Sequence, residues 1–146
     1  MPEPDSSTDH QVAVETILAA PVLARIATAN PANCQPHVVP VWFAWEEKSL
    51  WISSFANTRK VRELRSNPKC SVIIEPADNN ASLQAVILEG EVEFITKPLE
   101  DLIAIATRIY SRYLGDEGVL DPEPQSWLHD PNHLIIKLTP QKIISW

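Results

Sequence analysis

The residues best suited to chemistry form one run, Ser53-Ser54-Phe55-Ala56-Asn57-Thr58-Arg59-Lys60, in which three hydroxyls lead up to a guanidinium and an ammonium. Such a set can surround a phosphate. The side chains offer charge-assisted donors, and the run feeds a helix start whose unpaired N–H groups and dipole favour an anion. The two cations do nothing for the helix, because positive charge near a helix N-terminus opposes its dipole. A bound anion relieves that conflict. The plainer reading is a capping Thr58 beside two solvated cations, and spacing alone weighs the two about equally. Neither GxGxxG nor a P-loop occurs, and only three glycines are present, too few for the usual Gly-rich cradles.

Other reactive side chains are isolated. Cys34 and Cys70 form no CxxC pair and have no His at metal-ligand spacing, so neither a disulfide framework nor a metal site is expected. Cys70, in an apolar run, reads as a buried small hydrophobe, and Cys34, in a polar turn, as exposed. His37 reads as a strand residue near a turn rather than a catalytic acid, and neither His129 nor His133 makes a convincing haem ligand. No obligatory acid or base stands out, so the catalytic residues stay unassigned.

The elements that position the run follow from periodicity. After a polar tail of about ten residues, Val12, Val14, Ile17 and Leu18 predict a helix over 9–20. VLARIATA (22–29) is a strand, NPANCQ a turn, and HVVPVWFAW (37–45) a second strand, almost continuously apolar. Pro40 cannot donate to a ladder, which puts that strand at an edge or at a bulge. LWISSF (50–55) is the third strand. Asn57 or Thr58 caps a short helix with Val61 and Leu64 inward, ended by Ser66-Asn67-Pro68. KCSVIIE (69–75) is the fourth strand. Leu83 to Ile95 is the fifth, with a bulge expected at Gly90. A longer helix opens with Pro98 in its first turn and stops at Gly115, a loop covers 116–132, and 133–146 is a last strand bent at Pro140.

Composition limits the function. A net charge of −7 argues against general nucleic-acid affinity, so any anion site must be local. No apolar run approaches the roughly 20 residues of a membrane span, and the acidic start is unlike a signal peptide. The chain reads as a cytosolic protein without a membrane partner, with a tail (1–10) and one domain (11–146).

The order ARIATA, turn, HVVPVWF, turn, LWISSFANTRKVRELRSNP, CSVIIE resembles the pyridoxamine 5′-phosphate oxidase-like split-barrel flavoproteins, with TRKVRELRSNP its most specific piece. The resemblance implies a mainly β (α+β) fold: a Greek-key-like, antiparallel, six-stranded split barrel with flanking helices. It implies FMN, or a deazaflavin on the same fold, with Thr58, Arg59 and Lys60 on the phosphate and Ser53 and Ser54 near the ribityl chain. Val39, Pro40 and Val41 would lie along the ring, and Gln84 matches a family glutamine on the fifth strand. It further implies a homodimer with the cofactor at the interface, where Trp146, or Trp127 in the long loop, supplies a wall. The family's founding enzyme holds its vitamin with an Arg and a His one residue apart. Here Trp127 replaces the Arg before His129, so that substrate is disfavoured. The expected activity is an FMN-dependent oxidation or reduction of another small molecule, the alternative being a non-catalytic flavin-binding or sensor module.

Overall fold

The structure, a computed structural model, describes residues 6–146. The first five residues of the expected tail lie outside the described residues. The rest of that tail is helical: α1 spans Ser6–Ala19, and His10 Nε2 meets the Ser145 hydroxyl at 2.6 Å, tying this end to the C-terminal strand.

Eight strands follow, β1 (Ala24–Ala29), β2 (Pro36–Val41), β3 (Phe43–Glu46), β4 (Ser49–Phe55), β5 (Lys69–Ile74), β6 (Val86–Ile95), β7 (His133–Leu138) and β8 (Lys142–Ser145). They pair antiparallel in the order β2-β1-β5-β6-β7-β4-β3, with β8 also on β6, and curl into a split barrel. Six strands were expected, and two of them divide. The apolar run 37–45 breaks at Trp42, so that β2 joins β1 while β3 joins β4. The last segment breaks at Thr139-Pro140-Gln141 into β7 and β8. Pro40 is on β2, which has only β1 beside it, as a residue without an N–H requires.

The bulge lies opposite Gly90 rather than in its own strand. β6 keeps an unbroken register with β5, Cys70 facing Gly90, but its register with β7 and with β8 differs by one residue. The extra residue falls around Pro140, and the sheet turns there. A Cβ on Gly90 would stand 3.2 Å from Thr139 O and Gln141 N, so a side chain there would push the crossing apart by a few tenths of an ångström.

Two apolar layers result. Leu50, Ile52, Leu134 and Ile136 face the barrel interior with Ile26, Val72 and Leu88, and α1 closes that interior with Ile17 and Leu18. α2 (Arg59–Ser66) seals one end with Val61 and Leu64. On the outer face of β4 and β7, α3 (Leu99–Gly118) buries Leu102, Ala106 and Ile109 against Ile135. Gly115, at φ 80°, interrupts α3 as expected. The loop expected over 116–132 is instead partly helical. The end of α3 extends to Gly118 and α4 spans Pro122–Leu128, because Pro122 suits a first helical turn and Leu128 has the second layer to pack on. Among the described residues no helix is long and apolar enough to cross a membrane.

Candidate functional site

β4 delivers the chain to the start of α2, and the geometry there differs residue by residue. Thr58 stands at the N-cap with extended backbone, yet its hydroxyl makes no capping bond and instead donates to Phe55 O at 2.9 Å. The first-turn N–H groups of α2, which have no intrahelical acceptor by geometry, therefore gain none from Thr58.

The two cations are not equivalent. Arg59 Nε donates to Glu63 Oε2 at 3.2 Å, so its charge is largely offset. Lys60 is half-buried and makes no ion pair among the described residues, and burial holds its pKa below the usual lysine value. A desolvated ammonium without an acid is costly, and a nearby anion would restore its charged form. Glu63, only 6% exposed, also accepts the Thr28 hydroxyl at 2.7 Å. Its pKa is lowered, first by that hydroxyl and also by Arg59 and His37, against the opposing effect of burial.

The paired serines point to opposite faces, as strand alternation demands. Ser54 faces inward with Leu50 and Ile52, and its buried hydroxyl has no partner among the described residues. Ser53 faces the helix layer, where its hydroxyl meets Tyr110 OH at 2.6 Å and His133 Nε2 at 2.8 Å. Two of its three hydrogen-bonding positions are engaged there. Burial raises the Tyr110 pKa against the effect of the Ser53 bond, and burial lowers that of His133 against the pull of Asp130. His133 Nδ1 is buried without a partner.

Val39, Pro40 and Val41 run along the sheet edge, Val41 buried and Pro40 exposed. Gln84 and Trp146 are brought to each other, with the Gln84 and Ala85 N–H groups both donating to Trp146 O. Gln84 is not on the fifth strand, which starts at Val86, because Trp146 O captures the backbone before β6 begins. Neither residue reaches the β4–α2 segment within one chain. β4 ends level with the Ile95 end of β6, with β7 between them, and Gln84 precedes the other end of β6, about 30 Å of strand away at 3.4 Å per residue. From β2 they are three to four strand spacings off, about 14–19 Å along the sheet.

Trp127 packs edge-on against Tyr110 and Trp42, with centroids 5.4 and 6.3 Å away, and is partly buried in the second layer. Trp42 joins it there. Phe43 is core, and Trp45 packs at its edge while donating to Glu15. Trp146 is 51% exposed. Cys70 is buried, which pushes its thiol up to about 12, and Cys34 is exposed. Among the described residues no group of three or more His, Cys, Asp or Glu side chains could hold a metal ion. Sequence reasoning missed Glu63, Tyr110 and His133. The Arg59 to Glu63 spacing was a visible signal, but the contacts of Tyr110 and His133 cross between distant elements.

Comparison with solved structures places the fold among split barrels. A conserved hypothetical protein, Rv2991 from Mycobacterium tuberculosis, superposes with a TM-score of 0.73 at 23% identity, over 100% of this chain and 84% of that one. An F420 reductase gives 0.71 at 23%, over 89% and 94%. An FAD-binding protein from Mesorhizobium loti gives 0.63 at 19%, over 92% and 90%. No curated protein matches. The family described as pyridoxamine 5'-phosphate oxidase matches residues 11–146, nearly the whole chain, and this chain belongs to that family.

Proposed function

We propose that the protein binds FMN and serves as an oxidoreductase for a small molecule other than pyridoxamine phosphate. The observation that carries this reading is Lys60, a half-buried cation that pairs with no carboxylate among the described residues, beside an N-terminal helix turn that Thr58 leaves uncapped. A phosphate there meets both needs, and membership of the family supports a flavin as the group that carries it. The residues fit the group: Lys60, the first-turn N–H groups of α2 and the free Nη donors of Arg59 would hold the phosphate, with the edge strand Val39 to Val41 along the ring. When bound, the flavin would supply hydride or electron transfer, and the chain would bind and orient it.

The separation of Gln84 and Trp146 from α2 supports a homodimer. A second copy could bring its own Gln84 and Trp146 to the β2 edge, which one chain cannot do. An open cleft of about 590 Å³ on the outer face of β1, β5 and β6, lined by Ala27, Ser71 and Glu89, is available to seat it.

A deazaflavin is the second reading, favoured by the likeness to an F420 reductase. Absorbance and fluorescence titrations of the purified protein with FMN and, in parallel, with F420 test both. Saturable FMN binding at micromolar concentration is expected. F420 binding without FMN binding selects the second reading, and binding of neither overturns the proposal. FMN binding with no turnover of any electron donor would reduce the function to storage or sensing.

A further inference from the structure

Arg59 and Glu63 are the first and fifth residues of α2, one turn apart on a face that also carries Arg62 and Ser66. That face lines a small open cleft of about 350 Å³ against Asn30 and Pro31 of the β1–β2 turn. Glu63 is the unusual member. A carboxylate this buried is rarely kept unless each oxygen is satisfied, and both are: Oε1 accepts the Thr28 hydroxyl and Oε2 accepts Arg59 Nε. Thr28 is itself buried on β1, so the carboxylate is clamped to the sheet rather than swinging on the helix surface. The bond uses one of Arg59's five donors, and among the described residues the terminal Nη groups have no protein partner.

We propose that Glu63 is a positioning residue for anion recognition at α2, an inference that rests on the phosphate reading above. Anchored by Thr28, it fixes Arg59 through Nε and leaves the Nη groups available as donors at the cleft that Arg59 lines. Labour is divided between neighbours: Lys60 supplies net charge and Arg59 supplies direction, its charge already offset. A fixed guanidinium loses less rotamer freedom when it meets a ligand than a mobile one, which is where the gain arises.

Orientation and simple electrostatics predict opposite signs, so one variant separates them. Glu63→Gln removes a negative charge beside the anion site and keeps an oxygen for Thr28, but loses the carboxylate that grips Arg59. The FMN dissociation constant should rise about fivefold while riboflavin affinity stays within about twofold. Unchanged or tighter FMN binding would overturn the inference, because Glu63 would then act only as a competing charge. Should Glu63→Gln fail to fold, Thr28→Val loosens the same clamp and should weaken FMN about threefold, again sparing riboflavin. Unchanged or tighter FMN binding by Thr28→Val counts against the inference equally. Lys60→Ala in the same assay separates the two layers of argument. If it weakens FMN selectively and Glu63→Gln does not, only the positioning role falls. If Lys60→Ala affects FMN and riboflavin alike, the phosphate reading falls and this inference with it.

Discussion

Trp42 lies flat on Tyr113, their ring centroids 4.7 Å apart and their planes 5° from parallel, and the Tyr113 hydroxyl continues past the stack into the barrel's corner. There it accepts the Phe43 N–H at 3.1 Å and donates to Val22 O at 2.8 Å. The break between β2 and β3 at Trp42 leaves the Phe43 N–H to be satisfied by a helix 70 residues further on, and the same hydroxyl ties in the chain just before β1 at Val22. The corner that sends Val39 to Val41 to the sheet edge is thus held by α3.

Tyr113→Phe keeps the stack and deletes only the hydroxyl. Two part-buried backbone groups lose their partner, at a cost of about 1–3 kcal/mol. The melting temperature should fall by about 3–10 °C in a chain of this size. An unchanged midpoint would mean that water or a local shift replaces the hydroxyl without loss.

The β3–β4 hairpin turns on Glu47 and Lys48, both at positive φ (52° and 58°), between the closing pair Glu46 and Ser49. Two consecutive left-handed residues match the twist of the flanking strands, but side chains there cost about 1–2 kcal/mol each. Lys48→Gly removes one such cost and adds some freedom to the unfolded chain. A net gain of about 0.5–1 kcal/mol is expected, read as a higher urea midpoint at constant slope. A lower midpoint would contradict the strain argument.

Two groups should shape stability against pH with distinguishable windows. His133 has its pKa lowered from 6.5 by burial, so the unfolded chain takes up a proton before the folded one does. Its contribution is complete above about pH 6.5, is lost as pH falls below that value, and levels off once the lower folded pKa is passed. Glu63 is a carboxylate with a depressed folded pKa, so its contribution is present above its ordinary 4.5 and is lost as pH falls through the lower folded value. Urea midpoints measured from pH 7.5 down to about pH 2.5 should therefore decline in two stages. His133→Gln should flatten the upper stage and leave the lower one in place; an unaltered upper stage would remove His133 as its source.

The barrel was legible in the sequence because its strands are bounded by strong punctuation: Asn30-Pro31, Pro68 and Pro140 each fall where a strand ends or begins. The division at Trp42 was not, since an unbroken apolar run looks the same whether it serves one sheet edge or turns a corner between two. Helix α4 was hidden for the opposite reason. Its residues, PEPQSWL, have loop chemistry, and only the second apolar layer gives Leu128 and Trp127 something to fold against. At the site, the position of the anion run at a strand-to-helix junction could be read directly. The unequal roles of Arg59 and Lys60 could not, because they depend on Thr28 holding Glu63 from another strand, a contact with no trace in local spacing.

The central claim, that Lys60 meets the phosphate of a flavin, is tested most directly by titrating the protein and its Lys60→Ala variant with FMN and with riboflavin. A charge-assisted contact is worth about 1.5–3 kcal/mol, so FMN should bind the variant about 10- to 150-fold more weakly while riboflavin binding stays within about twofold. Equal losses for the two ligands, or no loss for FMN, would contradict it.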